Sequence, residues 1–389
     1  MVATTIAILL AAAWVLLAVR GVRGMRRIPD LAALPAWERP GGGGAEPPLV
    51  TVVVAARNEE DAIGGCLDSL LAQDYPFLEI IVVDDRSTDA TGAIADDRAR
   101  GGGGRLRVIH VDECPADWLG KCHAMSVGSA AASGEFILFT DGDVRFGRTA
   151  LSRAARHMVD ERADMLVVFP DVVTHSAGEG VLVQVFAQCL AAAYPPWKAM
   201  CPGSPAYAGV GAFNMVRRSL YERCGSHRFL RMQVIDDVGL GKIIKYAGGR
   251  IRVAVGRDMV HIRWQDSLGG TIRGLEKNAF AAMRYSVART LVAVSALLFV
   301  YLWPWFGMAV GPAPARIACA FVALVVQPWV GWNTIRLMRT RAVLAFGLPV
   351  GAVLFAWTIV RSMVVTLRQG GIRWRDSFYR LSDLRKFRL

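Results

Sequence analysis

The chain has no Cys-x-x-Cys pair, and its seven cysteines (Cys66, Cys114, Cys122, Cys189, Cys201, Cys224, Cys319) keep no regular spacing. An odd, scattered set argues against a disulfide framework or a zinc site and suits reduced thiols in a cytosol-facing domain. Acidic residues are in deficit, 33 against 45 Lys and Arg, for a formal net charge of +12. Such an excess raises nucleic acid as a partner. The arginines, however, cluster beside apolar segments, where lipid headgroups and the positive-inside tendency account for them, so no nucleic acid is expected. Internal repeats are lacking, apart from an echo of Ile-Arg-Trp-Gln-Asp-Ser (262–267) at 372–377, read as coincidence.

Charge is also absent from Val2 to Val19, an apolar run long enough to span a bilayer and followed by Arg20, Arg23, Arg26 and Arg27. Residues 1–27 therefore read as a retained anchor with its amino end outside and the following chain in the cytoplasm. An apolar content of 53% and a mean hydropathy of +0.34 are too high for an ordinary soluble enzyme. They fit a multi-pass protein of the cell membrane with a sizeable cytoplasmic domain. Residues 28–48, with glycines at 41–44, read as a linker. Residues 49–260 read as the catalytic domain, 261–286 as an interfacial amphipathic segment, 287–367 as about three membrane helices and 368–389 as a basic tail.

The expected spans are Val287–Val310, Ile317–Ile335 and Val343–Leu367, and the loop with Arg336, Arg339 and Arg341 belongs in the cytoplasm. A third full crossing puts the basic tail outside. A re-entrant segment and a tail overruled by earlier helices are both open. Leu268, Ile272, Leu275, Ala279 and Phe280, with Arg273, Lys277 and Arg284 opposite, suggest a helix that lies on the membrane surface or docks the domain on the membrane helices.

Within 49–260, Leu49–Ala56, Leu78–Val83, Leu106–Val111 and Phe136–Thr140 are Val-, Ile- and Leu-rich runs bounded by polar turns, as strands buried on both faces require. A helical face of Ile63, Leu67, Leu70 and Leu71, opened by Glu59, Glu60 and Asp61, separates the first two. Strand, helix, strand implies a right-handed parallel crossover. Polar clusters fall where strands end: Ala-Ala-Arg-Asn-Glu-Glu (55–60), Asp-Asp-Arg-Ser-Thr-Asp (84–89) and Asp141-Gly-Asp143. Each alone could be a turn or a helix cap. In a parallel sheet all three share one edge, where such folds bind ligands. Two carboxylates one residue apart, without Cys or His beside them, suit Mg²⁺ or Mn²⁺.

The ordered set Val-Ala-Ala-Arg-Asn-Glu-Glu, Val-Val-Asp-Asp-Arg-Ser-Thr-Asp-Ala-Thr and Thr-Asp-Gly-Asp resembles the family 2 glycosyltransferases over roughly 49–285. With Trp118-Leu-Gly-Lys-Cys-His-Ala and the flanking apolar segments, the chain resembles the membrane-anchored subgroup that includes hopene-associated, carotenoid and ceramide glycosyltransferases. The resemblance implies an α/β fold, a GT-A nucleotide-diphospho-sugar transferase domain with a mostly parallel sheet flanked by transmembrane helices. It implies that Ala56, Arg57 and Glu59 line the nucleoside pocket with Asp84 and Asp85, and that Asp141 and Asp143 hold the metal. Lys121 would serve the phosphates or sugar, or be a solvated loop lysine.

Of the pair Asp236 and Asp237, the second would be the catalytic base and the first a donor contact or a cap. Gly209 and Gly211 would let the backbone approach the sugar. Arg263 and Trp264 would touch diphosphate or acceptor, or form an interfacial anchor. Processive polysaccharide synthases and ceramide-type enzymes carry Gln or Arg three residues before that pair; here Val260 stands there. The expected activity is inverting, metal-dependent hexosyl transfer from a nucleoside-diphosphate sugar, most simply a UDP-sugar, to a membrane lipid hydroxyl. A processive polysaccharide synthase and an inactive membrane scaffold are the alternatives.

Overall fold

A computed structural model describes residues 2–37, 46–265, 267–338 and 341–387. The glycine run 41–44, Arg339 and Arg388 lie outside the described residues. The chain forms two compact units: a sheet unit, Ile28–Val173 with Tyr194–Trp264, and a helical unit, Met1–Arg27, Thr174–Ala193 and Gln265–Arg388.

The sheet unit is built on β1 (Val50–Ala56), β2 (Leu78–Asp85), β3 (Leu106–Val111), β4 (Phe136–Asp141), β5 (Val144–Phe146), β6 (Met165–Val172), β7 (Asn214–Arg217) and β8 (Ile251–Ile262). Their order is β3-β2-β1-β4-β7-β6-β8-β5. The pairs β3/β2, β2/β1, β1/β4 and β6/β8 are parallel; β7 runs antiparallel to β4 and β6, and β5 antiparallel to β8. Strands β1, β2 and β4 are buried on both faces, which is why their sequences are continuous apolar runs. Strand β3 is the edge, and of its residues only Leu106 is fully buried, contrary to the two-faced burial its composition implies.

Register decides where the carboxylates go. Ala55 pairs with Asp141 and Ala56 with Asp84, so the carboxyl ends of β1, β2 and β4 stand level at one edge. Helices α2 (Ile63–Leu71), α3 (Thr91–Gly101), α4 (Gly120–Ala130) and α5 (Ala150–Asp160) flank the sheet, α7 (Pro196–Ala199), α8 (Arg218–Arg223) and α9 (Ser226–Phe229) are single turns, and α10 (Asp236–Tyr246) precedes β8. The acids expected to open α2 do other work. The helix starts at Ile63 without a side-chain cap, while Glu60 accepts the backbone N–H of Ala90 across the site edge.

The first part of the stretch read as linker is ordered along the sheet unit. Leu31 is fully buried, and Trp37 donates its backbone N–H to Ser152 Oγ at 2.8 Å.

The helical unit contains α1 (Val2–Met25), α6 (Ala177–Ala193), α11 (Leu268–Ala282), α12 (Val287–Gly307), α13 (Ala313–Phe321), α14 (Gln327–Met338), α15 (Leu348–Gln369) and α16 (Leu381–Lys386). Among the described residues five stretches are long and apolar enough to cross a membrane: Thr4–Met25, Ala177–Ala199, Val287–Gly307, Ala313–Arg336 and Leu348–Gln369. The second falls inside the range read as catalytic domain. Its signal is diluted by Gln184 and Gln188, which pair inside the unit: Gln184 donates to the Gly331 carbonyl (2.9 Å), and Gln188 donates to Thr334 Oγ1 and accepts from the Tyr301 hydroxyl. Polar side chains in an apolar helix bundle need such partners.

Helix α11 buries Leu275, Ala279 and Phe280 and is pinned to α15 by Glu276 on Arg361 (2.7 Å) and by the Phe280 N–H on Ser362 Oγ. Its apolar stripe is spent on a neighbouring helix.

Candidate active site

The first turn of α4 sits at the carboxyl edge of β1, β2 and β4. Lys121, in that turn rather than in a solvated loop, reaches Asp141 at 2.6 Å and Asp236 at 4.0 Å. Burial alone depresses an ammonium pKa; here Asp141, Asp236 and Asp237 overrule it and hold Lys121 above its usual range. Burial pushes Asp236 up to about 6, with Lys121 opposing and Asp237 and Asp141 reinforcing. Asp237 is also raised, chiefly by burial, although it accepts the N–H groups of Val238 (2.8 Å) and Gly211. Both acids occupy the first turn of α10, whose amino-terminal dipole favours negative charge.

Gly209 and Gly211 are where the approach is too close for a side chain. A Cβ at Gly209 would meet the Asp237 carbonyl, and one at Gly211 would lie 2.6 Å from Asp141 Oδ2 and 3.2 Å from Lys121 Nζ. Thr140 donates to the Ala212 carbonyl at 2.8 Å and fixes this turn on the end of β4. Asn214, which sequence reasoning passed over, holds it from behind: its amide accepts from Val210 N and donates to the Asp237 carbonyl. The available signal was an amide inside a buried strand, which must find partners.

Asp143 is mostly buried, its Oδ1 has no hydrogen-bond partner among the described residues, and its pKa rises to about 7 through burial, Asp141 and Glu59. A hard divalent cation fits this pair of oxygen ligands, one orphaned and one facing a lysine. Among the described residues no group of three His, Cys, Asp or Glu forms a ready-made cage, so further ligands would have to come from a substrate. Because the folded pKa of Asp143 lies above that of a free carboxyl, its ionisation costs stability as pH rises from about 4 to 7. Asp143→Asn is therefore expected to stabilise the metal-free protein by about 1–3 kcal/mol at pH 8 and by little at pH 5. Thermal unfolding in chelator at both values measures it.

Asp85 accepts from Arg86 at 2.8 Å and lies 3.9 Å from Arg57, beside the same α4 turn. Asp84, adjacent on the strand, points the other way and is committed to His110 (3.0 Å) and the Ser87 N–H (3.3 Å). Ala56 is buried in the sheet core, so it can offer a ligand only its backbone. Glu59 takes its place through its N–H on Thr91 Oγ1, with its carboxylate near Asp143. Trp264 packs against the sheet core, Arg263 is half-buried, and Val260 is fully buried in β8.

Residues 51–239, which hold all of these except Val260 and the Arg263-Trp264 pair, match the model for glycosyl transferase family 2. A family 2 glycosyltransferase domain therefore occupies residues 51–239. The GT-A architecture, hexosyl transfer and use of a nucleotide sugar go with that domain. A relative, the 4,4'-diaponeurosporenoate glycosyltransferase of Staphylococcus aureus strain MRSA252, is 23% identical over 335 residues, 84% of this chain and 87% of that one. Among solved structures, the mannosyltransferase PcManGT from Pyrobaculum calidifontis in complex with GDP-Man and Mn²⁺ is 20% identical, covers 94% of this glycosyltransferase and 99% of its own chain, and superposes with a TM-score of 0.47. S. aureus TarS 1-349 with UDP is 18% identical, covers 85% and 95%, and scores 0.42. Both likenesses are loose.

Proposed function

We propose that this glycosyltransferase is an inverting, metal-dependent enzyme that moves a hexose from a UDP-sugar to a hydroxyl of a membrane lipid, on the cytoplasmic side of the cell membrane. The observation that carries the reading is the meeting of Asp237, Lys121, Asp141 and Asp143, from three separate stretches of the chain, at one edge of the sheet. In this reading Arg57, Asp85 and the backbone at Ala56 bind the nucleoside, and the 209–211 turn receives the sugar. Asp141 and Asp143 would hold Mg²⁺ or Mn²⁺, which neutralises charge on a leaving diphosphate. Asp237, its pKa raised by burial, accepts the proton of the attacking hydroxyl at its carboxylate. One base and no enzyme nucleophile make the displacement direct, with inversion. Lys121 keeps the acid cluster charged and oriented in the absence of donor.

Five candidate membrane spans and a relative named for 4,4'-diaponeurosporenoate favour an apolar acceptor. The purified protein in lipid vesicles, given radiolabelled UDP- and GDP-sugars with a lipid extract of the host, is expected to yield labelled glycolipid from UDP-sugar only when Mg²⁺ or Mn²⁺ is present. A long water-soluble polymer would instead identify a polysaccharide synthase, and no product across the panel would point to a scaffold.

A further inference from the structure

The basic tail is a folded element. Helix α15 ends at Gln369, Gly370 turns the chain with a φ of +68°, and β9 (Gly371–Trp374) pairs antiparallel with β10 (Ser377–Arg380) before α16. The hairpin is fixed to its surroundings: the Leu381 N–H donates to the Gly370 carbonyl at 2.9 Å, Ile372 and Leu384 are buried, and the Lys277 ammonium of α11 lies 3.6 Å from the Trp374 ring centroid. Its register places Arg373 opposite Phe378 and Gly371 opposite Arg380. Side chains alternate along a strand, so Arg373, Phe378 and Arg380 share one face and Ile372 and Trp374 the other. On that face both arginines are exposed and the Phe378 ring is 47% exposed between them.

We propose that this face is a binding site for the headgroups of anionic phospholipids, with Arg373 and Arg380 on the phosphates and Phe378 in the boundary between headgroups and acyl chains. Three observations select lipid over other anions. The hairpin begins two residues after a 22-residue candidate span, which at about 1.5 Å per residue is a bilayer's hydrocarbon thickness, so it stands at the membrane surface. An exposed aromatic between guanidiniums is disfavoured in water and favoured at that boundary. Residues 368–387 carry six basic and two acidic side chains, a balance that attracts an anionic leaflet. The site gives the hairpin a task apart from the chemistry at Asp237, and it places the tail on the leaflet that carries the anionic lipid.

The test uses the full chain, purified in neutral detergent, with palmitoyl-oleoyl phosphatidylglycerol or phosphatidylcholine added to the micelles, and lipid retention read by native mass spectrometry. The wild type is expected to retain phosphatidylglycerol in preference to phosphatidylcholine, and the preference is expected to weaken as salt is raised. In R373Q/R380Q it is expected to fall roughly thirtyfold, at about fivefold per arginine. F378A is expected to weaken retention of both lipids, and all variants to keep the wild-type circular dichroism spectrum, because these side chains are exposed. An undiminished preference in R373Q/R380Q, or no preference in the wild type, overturns the proposal.

Discussion

Asp237→Asn is expected to lower sugar transfer by about 10³- to 10⁴-fold while leaving donor affinity within a few-fold. The amide is isosteric and can keep the hydrogen bond from the Val238 N–H through its oxygen, so the first turn of α10 has no reason to move. What is lost is a proton acceptor whose pKa burial has raised toward the working range. The measurement is single-turnover transfer in vesicles beside a binding isotherm for UDP. Equal losses in transfer and in UDP affinity would make Asp237 a donor-binding residue. Unchanged transfer would remove it from the mechanism.

Lys121→Met is expected to have the largest effect on stability. The ammonium is the cation shared by Asp141, Asp236 and Asp237, and removing it leaves buried carboxylates facing one another. Breaking such a cluster costs about 3–5 kcal/mol. The cost depends on pH in a definite direction. Without the lysine the folded-state pKa values of Asp236 and Asp237 rise further, so destabilisation is fully developed above those raised values, where both must ionise, and shrinks as pH falls toward about 6, the wild-type value of Asp236. Unfolding of both proteins at pH 5, 6.5 and 8 checks this, and a pH-independent difference would mean that Lys121 acts through packing alone.

Much of the sheet unit was legible in the chain because its signals are local. β1, β2 and β4 are uninterrupted apolar runs since a parallel strand covered on both faces has no polar side to show. The acid clusters stand where the hydrophobic runs stop. The acid pair 236–237 sits before a helix whose Leu240, Ile243 and Ile244 form its buried face.

What escaped was set by distant parts of the chain. Strand β7 is four residues long and fits between β4 and β6 only because both flank it. α6 carries two glutamines whose partners, Gly331 and Thr334, lie about 146 residues away, and they leave Ala177–Ala199 the least apolar of the five candidate spans. The tail, read as a charged extension, closes into a hairpin because Trp374 finds Lys277 and Leu381 finds Gly370.

The sequence by itself determined which residues are the candidates for the chemistry and in what order they come, because carboxylates at strand ends and glycines beside them are chosen by local backbone geometry and charge. Only the tertiary structure decided that Asp84 turns to His110 while Asp85 turns to Arg57, that Lys121 is the cation among the acids, and that Asn214 braces the turn against Asp237. These outcomes depend on register and on side chains brought together from far apart in the chain. The free energy that selects them is the cost of leaving a buried charge or amide without a partner, which can be read only when every neighbour is in place.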